Sequence, residues 1–380
     1  MSTLPTIRRI AQSLEQWAPP ASAQDYDNVG LQVGRADAEV RRAVLALDLT
    51  HAVLDEAINA GAELIVTHHP LIFQPLKQVT GSGYANNLAL RLAESGIALY
   101  SIHTNLDAAP GGVSFALAER LGVAEPTFLA PMEDAACKLV TFVPESHAEA
   151  VHTAMAAAGG GRIGDYDACA FRSHGTGTFR PGTDTDPHIG TAGGDLETVD
   201  EIRLEMEVTP WALPAVRAAM HEAHPYEEVA HDVYPLDQST TQAGMGAIGM
   251  LNEVMPLSAF LARVSSQLDA ESLRYAGTPD APVERVAVCG GAGSSLVGAA
   301  QGARADAYVT ADVKYHDFFR VLGADTGTPQ MAFIDAGHYE TEALTEALLH
   351  DWLAERFSSV TWKRTSHRTS PMRTFVADAG

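Results

Sequence analysis

The chain has 380 residues and a mass of 40.3 kDa, which is more than one ordinary domain needs and predicts two or three. Hydrophobic residues make up 46% of the chain and charged residues 19%, so a buried core is expected and wholesale disorder is excluded. The 25 Lys and Arg against 48 Asp and Glu give a formal charge of −23, which disfavours general binding to nucleic acids and anionic membranes.

The cysteines and the termini give the expected compartment. Cys137, Cys169 and Cys289 are far apart and form no Cys-x-x-Cys pair, which argues against thiolate zinc sites and a disulfide framework. No run of about 18 apolar residues predicts a membrane-spanning helix, and the N-terminus lacks the apolar region of a signal peptide. We therefore expect a cytoplasmic protein.

The first third of the chain alternates between strand and helix patterns. An amphipathic helix between Ile7 and Trp17 comes first, and Thr50 is placed to cap a later helix. Buried strands are predicted at 42–49, 64–69 and 98–104, with helices after Thr50 and around 85–95. Units of this length predict right-handed crossovers and a largely parallel sheet.

The middle third has a different order of elements. Strands are predicted at 138–143, 168–181, 203–208 and 228–234, helices at 145–157 and 210–223, and a loop at 182–194. This β-α-β-β-α-β order is the ferredoxin-like pattern. We therefore predict an α/β fold in which a discontinuous domain, 1–127 and 238–380, is interrupted by an inserted ferredoxin-like α+β domain, 128–237.

The last third returns to the α/β pattern. A helix is predicted at 257–268, strands at 283–291, 306–312 and 331–337, and a long helix at 341–357. These elements are expected to complete the discontinuous domain.

Histidine and acidic residues lie where predicted strands end. They are His68, His69, His103, Asp107, His338 and Glu342. Ligands of open α/β sheets gather outside the carboxyl ends of strands, so three chain segments are expected to converge. Imidazole and carboxylate without thiolate suit zinc, manganese, iron, cobalt or nickel.

The spacing of these residues favours two ions. Adjacent residues of a strand face opposite ways, so His68 and His69 suit one neighbouring ion each. A helix that begins near His338 places Glu342 on the same face, so both reach one centre. Asp107 and Glu342 can bridge or clamp two ions about 3.5–4 Å apart. Two divalent ions and two carboxylates leave a positive site, which favours a phosphate-bearing small molecule.

Several features have two interpretations. His103 either takes part directly, at the metal ions or in proton transfer, or orients a metal ligand. His316 either lines a substrate pocket or is an ordinary helix residue. The glycine-rich 289–295 segment forms either an anion cradle or a tight turn, and 26–34 either lines the cleft or forms a turn.

Five ordered motifs carry a resemblance to a known family. YDNVGLQVG, LIVTHHPLIF, SIHTNLDAAPGGV, CGGAGSS and DAGHYETE resemble the GTP cyclohydrolase 1 type 2 homologue family, the Nif-three-like hexameric proteins with a dinuclear metal centre. The middle segments GGGRIGDYDACAF, GTGTFRPG and PHIG resemble the CutA/PII-like insert of its longer members.

The resemblance implies a site, an assembly and an activity. Its implied metal ligands are His68, His69, Asp107, His338 and Glu342, which would hold two divalent ions per subunit, zinc foremost. It also implies a toroidal homohexamer, with metal sites facing an internal cavity and the inserts over the ring openings. The family name implies hydrolytic opening of the GTP imidazole ring.

Two functions are therefore carried forward. The first is a metal-dependent hydrolase of a nucleotide or related cyclic amidine, with His103 or Glu342 moving protons. The alternative is a non-catalytic hexamer with a structural metal site that regulates or binds protein or nucleic acid. An effector site is then expected near the 182–194 loop with His188, whose other interpretation is a solvated linker. The charge of −23 disfavours nucleic acid.

Overall fold

The structure, a computed structural model, describes residues 4–133, 136–237 and 240–375. The chain divides into two compact units. The first is formed by the residues up to Ala130 and from Ala243 onward, and the second runs from Pro131 to Gln242. The predicted insert, 128–237, starts a few residues before the start of the second unit and stops a few residues before its end. Within the described ranges, every helix is too short or too polar to cross a membrane.

The regular elements are numbered in chain order. The strands are β1 (Gly30–Val33), β2 (Arg42–Ala46), β3 (Leu64–Thr67), β4 (Ala98–Ser101), β5 (Val123–Met132), β6 (Cys137–Pro144), β7 (Ala170–Phe179), β8 (Glu197–Val208), β9 (His231–Pro235), β10 (Thr240–Pro256), β11 (Arg274–Ala276), β12 (Pro282–Ala292), β13 (Ala307–Ala311), β14 (Ala332–Asp335) and β15 (Thr361–Arg364). The helices are α1 (Ile7–Trp17), α2 (His51–Ala60), α3 (Tyr84–Ser95), α4 (Thr104–Asp107), α5 (Val113–Arg120), α6 (Ala148–Ala157), α7 (Leu213–Ala223), α8 (Leu257–Leu268), α9 (Val297–Gly302), α10 (His338–Glu342) and α11 (Thr345–Arg356).

Local sequence signals fix the ends of the helices beside the first sheet. The Thr50 hydroxyl accepts a hydrogen bond from the Val53 N–H (3.2 Å) and so caps α2. Gly61 ends the same helix in the left-handed region (φ 61°), where residues with a Cβ are strained. The predicted helix after Thr50 is confirmed.

The first unit contains two mixed sheets. One has the order β1-β4-β3-β2-β15, in which β4, β3, β2 and β15 are parallel and β1 is antiparallel to β4. The other has the order β11-β14-β13-β12-β10-β5, with β12, β13 and β14 parallel. Parallel strands place their carboxyl ends at one edge of a sheet. The residues that follow β3 and β4 therefore lie together at the edge of the first sheet, and those that follow β13 and β14 lie together at the edge of the second.

Helix α1 packs against the first sheet as its spacing predicts. Ile7, Ile10 and Leu14 are buried in one apolar cluster with the strand residues. Trp17 stacks on Trp352 of α11, with ring centroids 4.3 Å apart. The N-terminal helix thus closes the core from one side.

The described residues of the second unit form a four-stranded antiparallel sheet with the α-helices α6 and α7. Its elements follow the order β6-α6-β7-β8-α7-β9, and its strands the spatial order β7-β8-β6-β9. Ile202, Leu204 and Met206 of β8 belong to the core that α6 and α7 cover. Successive strand residues face opposite ways, so Glu201 and Arg203 lie on the other face, called here the open face.

Several predicted elements differ from the structure. The single helix predicted at 341–357 is two helices, α10 and α11. Strand β10 was not predicted, because glycines weaken the strand pattern. Here they serve close packing: a Cβ on Gly249 would lie 2.5 Å from the Ala124 carbonyl oxygen. Strands β5 and β15 were missed as well.

Glu56 joins α2 to the segment after β15. Its side chain is 7% exposed, pairs with Lys363 (2.8 Å) and accepts hydrogen bonds from the hydroxyls of Thr365 (2.6 Å) and Ser366 (2.9 Å). Burial alone would raise the pKa of this carboxyl, but the Lys363, Thr365 and Ser366 contacts outweigh it and lower the pKa to about 2.

We expect Glu56→Gln to lower the free energy of unfolding at pH 7 by about 1–3 kcal/mol, because charge-assisted hydrogen bonds are lost. The folded pKa is depressed, so this stability is present above the unfolded pKa of 4.5 and is lost as pH falls towards 2. Urea unfolding across this range measures it. Asp55→Asn, on the same helix and exposed, is the control and should change stability little. A constant difference between wild type and Glu56→Gln down to pH 2 would contradict the prediction.

Candidate metal centre

The six predicted site residues meet within the first unit. His68 and His69 follow β3, His103 follows β4, Asp107 ends α4, and His338 and Glu342 lie on α10. Their ligand atoms form three groups, each within 4.8 Å: His68, His69 and His103; His69, His338 and Glu342; His68, Asp107 and Glu342. The cluster could therefore hold metal ions. His316 belongs to none of these groups; it is exposed and its ring contacts Tyr315 and Phe319.

Glu342 lies at the centre of the cluster. Its side chain is 4% exposed, and its Oε2 accepts hydrogen bonds from Nε2 of His69 (2.9 Å) and of His338 (3.0 Å). Its Oε1 lies 3.9 Å from Nε2 of His68. One carboxylate therefore faces both sides of the cluster, as a bridging ligand would. The i, i+4 spacing of His338 and Glu342 at the start of α10 produces this geometry.

The glycine-rich end of β12 makes room for that carboxylate. A Cβ on Gly291, which has φ of 59°, would overlap Oε1 of Glu342. The N–H of Gly291 donates to the Thr341 hydroxyl (3.0 Å), and that of Gly293 to the Thr310 hydroxyl (2.9 Å). These two amides are occupied, and close packing against Glu342 explains the glycine at 291.

His68 presents an unpartnered nitrogen to the cluster. The ring is fully buried, and its Nδ1–H donates to the Ile102 carbonyl (2.8 Å). Burial lowers the pKa of His68 to about 3, so the ring is neutral and Nε2 carries a lone pair. Nε2 lies 3.6 Å from Oδ1 of Asp107, and neither atom has a hydrogen-bond partner among the residues that the structure describes. Two such buried atoms facing each other are unfavourable unless a proton or a metal ion lies between them.

Asp107 itself shows the same requirement. Its pKa is raised well above the ordinary value, chiefly by burial and then by the charge of Glu342. A divalent ion is the kind of neighbour that keeps such a carboxylate ionised.

Three aspartates orient the remaining histidines. In each pair Nδ1–H donates to a carboxylate: His69 to Asp48 (2.7 Å), His338 to Asp312 (2.8 Å) and His103 to Asp27 (2.8 Å). This arrangement fixes the tautomer and directs Nε2 inwards, as carboxylate partners of metal-binding histidines do. With the Ile102 bond to His68, every histidine of the cluster has an oxygen partner at Nδ1.

The sequence-based prediction did not include these aspartates, although two of them lie at strand ends as the histidines do. Asp48 lies just after β2 and Asp312 just after β13, at strand ends like the histidines. Asp312 has φ of 54°, an uncommon conformation for a residue with a Cβ. Asp27 precedes β1, whose Gly30 pairs with Ser101 at the end of β4. The 26–34 segment therefore contributes Asp27 beside His103.

Without a metal ion, protons supply the positive charge of the cluster. Burial lowers the pKa values of His69 and His338, but hydrogen bonds to Glu342 and to Asp48 or Asp312 raise them to about 10 and about 9. The pKa of Glu342 is lowered because these bonds outweigh its burial. Metal ions would displace those protons, so binding should release protons and weaken at low pH.

Aromatic rings and a cavity adjoin the cluster. The Phe73 ring centroid lies 6.4 Å from that of His103 and 6.2 Å from that of Tyr26. A cavity of about 380 Å³ is lined by His69 and Tyr84, among others. Of the cluster's histidines, His69 therefore faces this cavity.

We expect Gly291→Ala to weaken metal binding, because the added Cβ would displace Oε1 of Glu342. Calorimetric titration of metal-stripped protein with Zn²⁺ or Mn²⁺ measures the change. Gly298→Ala is the control, because a Cβ there meets no atom within 4 Å. Wild-type affinity and stoichiometry in Gly291→Ala would show that Glu342 does not bind the ion through this oxygen.

The sequence has close relatives among known proteins. It matches the family model Duf34/NIF3 (NGG1p interacting factor 3) over residues 5–371. It is 39% identical over 342 residues to a Bacillus subtilis protein named GTP cyclohydrolase 1 type 2 homolog, covering 90% of each chain. A Mycobacterium tuberculosis protein of the same name is 40% identical over 337 residues, covering 88% of this chain and 87% of the relative.

A solved structure resembles this one over nearly its whole length. It is the Bacillus cereus protein related to NIF3, with a TM-score of 0.82 and 37% identity, and the match covers 98% of this chain and 100% of the other. The family match spans both units and includes every residue of the cluster. The chain therefore belongs to the DUF34/NIF3 family.

Proposed function

We propose that the cluster holds two divalent metal ions. His69, His338 and Glu342 would hold one, and His68, Asp107 and Glu342 the other. The observation that carries this proposal is the pair of unpartnered buried acceptors, Nε2 of His68 and Oδ1 of Asp107. Nitrogen and oxygen donors favour zinc, with manganese, iron, cobalt and nickel as alternatives.

We further propose that the protein is a metal-dependent hydrolase of a nucleotide or related small molecule that contains a cyclic amidine. The relatives' name, GTP cyclohydrolase 1 type 2 homolog, supports this substrate class. Two divalent ions supply Lewis acidity and lower the pKa of water. A C–N bond such as those at C8 of GTP would be hydrolysed.

His103 is the residue of the chain best placed to move a proton. Its Nδ1–H donates to Asp27, so Nε2 is left to accept a proton from the attacking water and return it to the leaving nitrogen. Asp27 also accepts from the Thr104 N–H (3.1 Å), which fixes the carboxylate. Both oxygens of Glu342 face histidines, so we assign Glu342 to metal binding and the proton transfer to His103.

The activity test is direct. Metal-loaded protein should release a ring-opened product from GTP or another purine nucleotide, seen as loss of the purine absorbance. His103→Ala should retain its metal and lose about 10²–10⁴-fold in kcat. One outcome would be that the protein binds two ions per chain and yet hydrolyses no compound in a panel of nucleotides and cyclic amidines. That result would refute the hydrolase proposal and leave the proposed metal centre intact.

Asp27 is expected to act as a positioning residue. Asp27→Asn should lower kcat roughly 10- to 100-fold with little change in KM or metal content, because His103 loses its charged partner. Asp25→Asn is the matched control, since Asp25 is a nearby exposed carboxylate. Equal kcat for both variants would show that Asp27 does not position His103 for catalysis.

The assembly and the second unit complete the proposal. We propose a toroidal homohexamer, which light scattering on the purified protein would test. We also propose that the second unit is an inserted ferredoxin-like domain, supported by its β-α-β-β-α-β order and antiparallel sheet. The alternative function, a non-catalytic regulatory hexamer, is favoured by a separate cavity in that unit.

A further inference from the structure

The second unit contains a cavity of about 590 Å³ on the open face of its sheet. Phe142 and Glu201 line it from the strands, and Pro187 and His188 line it from the loop after β7. The volume lies within the range of about 300–1,000 Å³ usual for small-molecule sites. The loop predicted at 182–194 is therefore one wall of a cavity.

A buried carboxylate faces this cavity with one oxygen unused. Glu201 is 9% exposed, and its Oε1 accepts a hydrogen bond from the Tyr226 hydroxyl (2.9 Å). Its Oε2 accepts no hydrogen bond from the residues that the structure describes. A Cβ on Gly177, across the sheet, would overlap Oε2, so the glycine leaves room for the carboxylate. This oxygen is therefore available to accept a hydrogen bond from a donor in the cavity.

The ring beside that carboxylate is held in place. Tyr226 donates its N–H to Nδ1 of His224 (3.2 Å), and Nε2–H of His224 donates to the Phe142 carbonyl (3.0 Å). The ring centroid of Tyr226 lies 6.1 Å from those of both Phe179 and His188. The carboxylate therefore lies among aromatic rings that a flat molecule can contact.

The charges of the lining favour a neutral or cationic ligand. Glu201, Glu227 and Glu228 contribute three negative charges, against two positive charges from Arg180 and Arg203. Arg203 is also paired with Glu205 on its own strand (2.9 Å). A ligand that depends on its own negative charge for binding is therefore disfavoured.

We propose that this cavity binds a nucleoside-sized molecule with a flat nitrogen heterocycle. The heterocycle packs against Tyr226, Phe179 or His188, and an amino group on its edge donates to Oε2 of Glu201. The site lies wholly in the second unit and is independent of the metal cluster and of any hydrolysis there.

Adenosine and purine riboside test the proposal, because they differ only in the amino group. Calorimetric titration of the full-length protein should show adenosine binding, with purine riboside at least about tenfold weaker. Glu201→Gln should weaken adenosine at least about tenfold. Glu207→Gln, on the same strand and facing the same way but outside the cavity, should bind like wild type. Thermal melting establishes that each variant is folded.

Three results would each overturn the proposal. The first is that adenosine does not bind at millimolar concentration, the second is that adenosine and purine riboside bind with equal affinity, and the third is that folded Glu201→Gln binds adenosine as tightly as wild type. Adenosine binding that Asp107→Ala abolishes would locate the ligand at the metal cluster instead. A further contrary result would be that residues 173–189 are protected from hydrogen exchange to a degree that rises with protein concentration and does not change with adenosine. That result would identify a second copy of the chain as the occupant of the cavity.

Discussion

Two polar atoms, Nε2 of His68 after β3 and Oδ1 of Asp107 on α4, set the central constraint on this molecule. Neither accepts a hydrogen bond from a residue that the structure describes, and Glu342 lies beside both. Buried acceptors are normally satisfied, because an unmatched one costs about 1–3 kcal/mol. A divalent cation, as proposed above, would satisfy these three side chains together.

The rest of the site is arranged around that requirement. Parallel strands of two sheets end where the donors are needed, and α10 begins at His338 so that Glu342 lies on the same helical face. Gly291 leaves the space that the carboxylate occupies. Asp48 and its two counterparts hold the imidazole rings so that rotation is restricted before an ion arrives. Preorganisation of this kind lowers the conformational entropy lost on binding.

The sequence was sufficient to identify the ligand candidates but not their supports. An adjacent His68–His69 pair at a strand end is unusual, whereas Asp48 and Asp312 are ordinary residues until a histidine is seen beside them. The alternation of side chains along a strand predicted that His68 and His69 face opposite ways, and this description is incomplete. Strand β3 ends at Thr67, so both rings lie past it and both contribute to a group with His103. The break between α10 and α11 was invisible because both segments have helical composition.

Two buried carboxylates illustrate how one chain can prepare two kinds of site. Glu342 is enclosed by imidazole rings fixed to the fold, so only a small ion can approach it. Glu201 is held by one phenol and keeps an oxygen towards an open cavity, so a larger donor can reach it. The exterior charge of −23 acts on both. It repels polyanions over a Debye length of about 8 Å at physiological salt, whereas a small ligand experiences the local field once inside. On electrostatic grounds, the net charge opposes a polyanion more strongly than a small ligand of low charge.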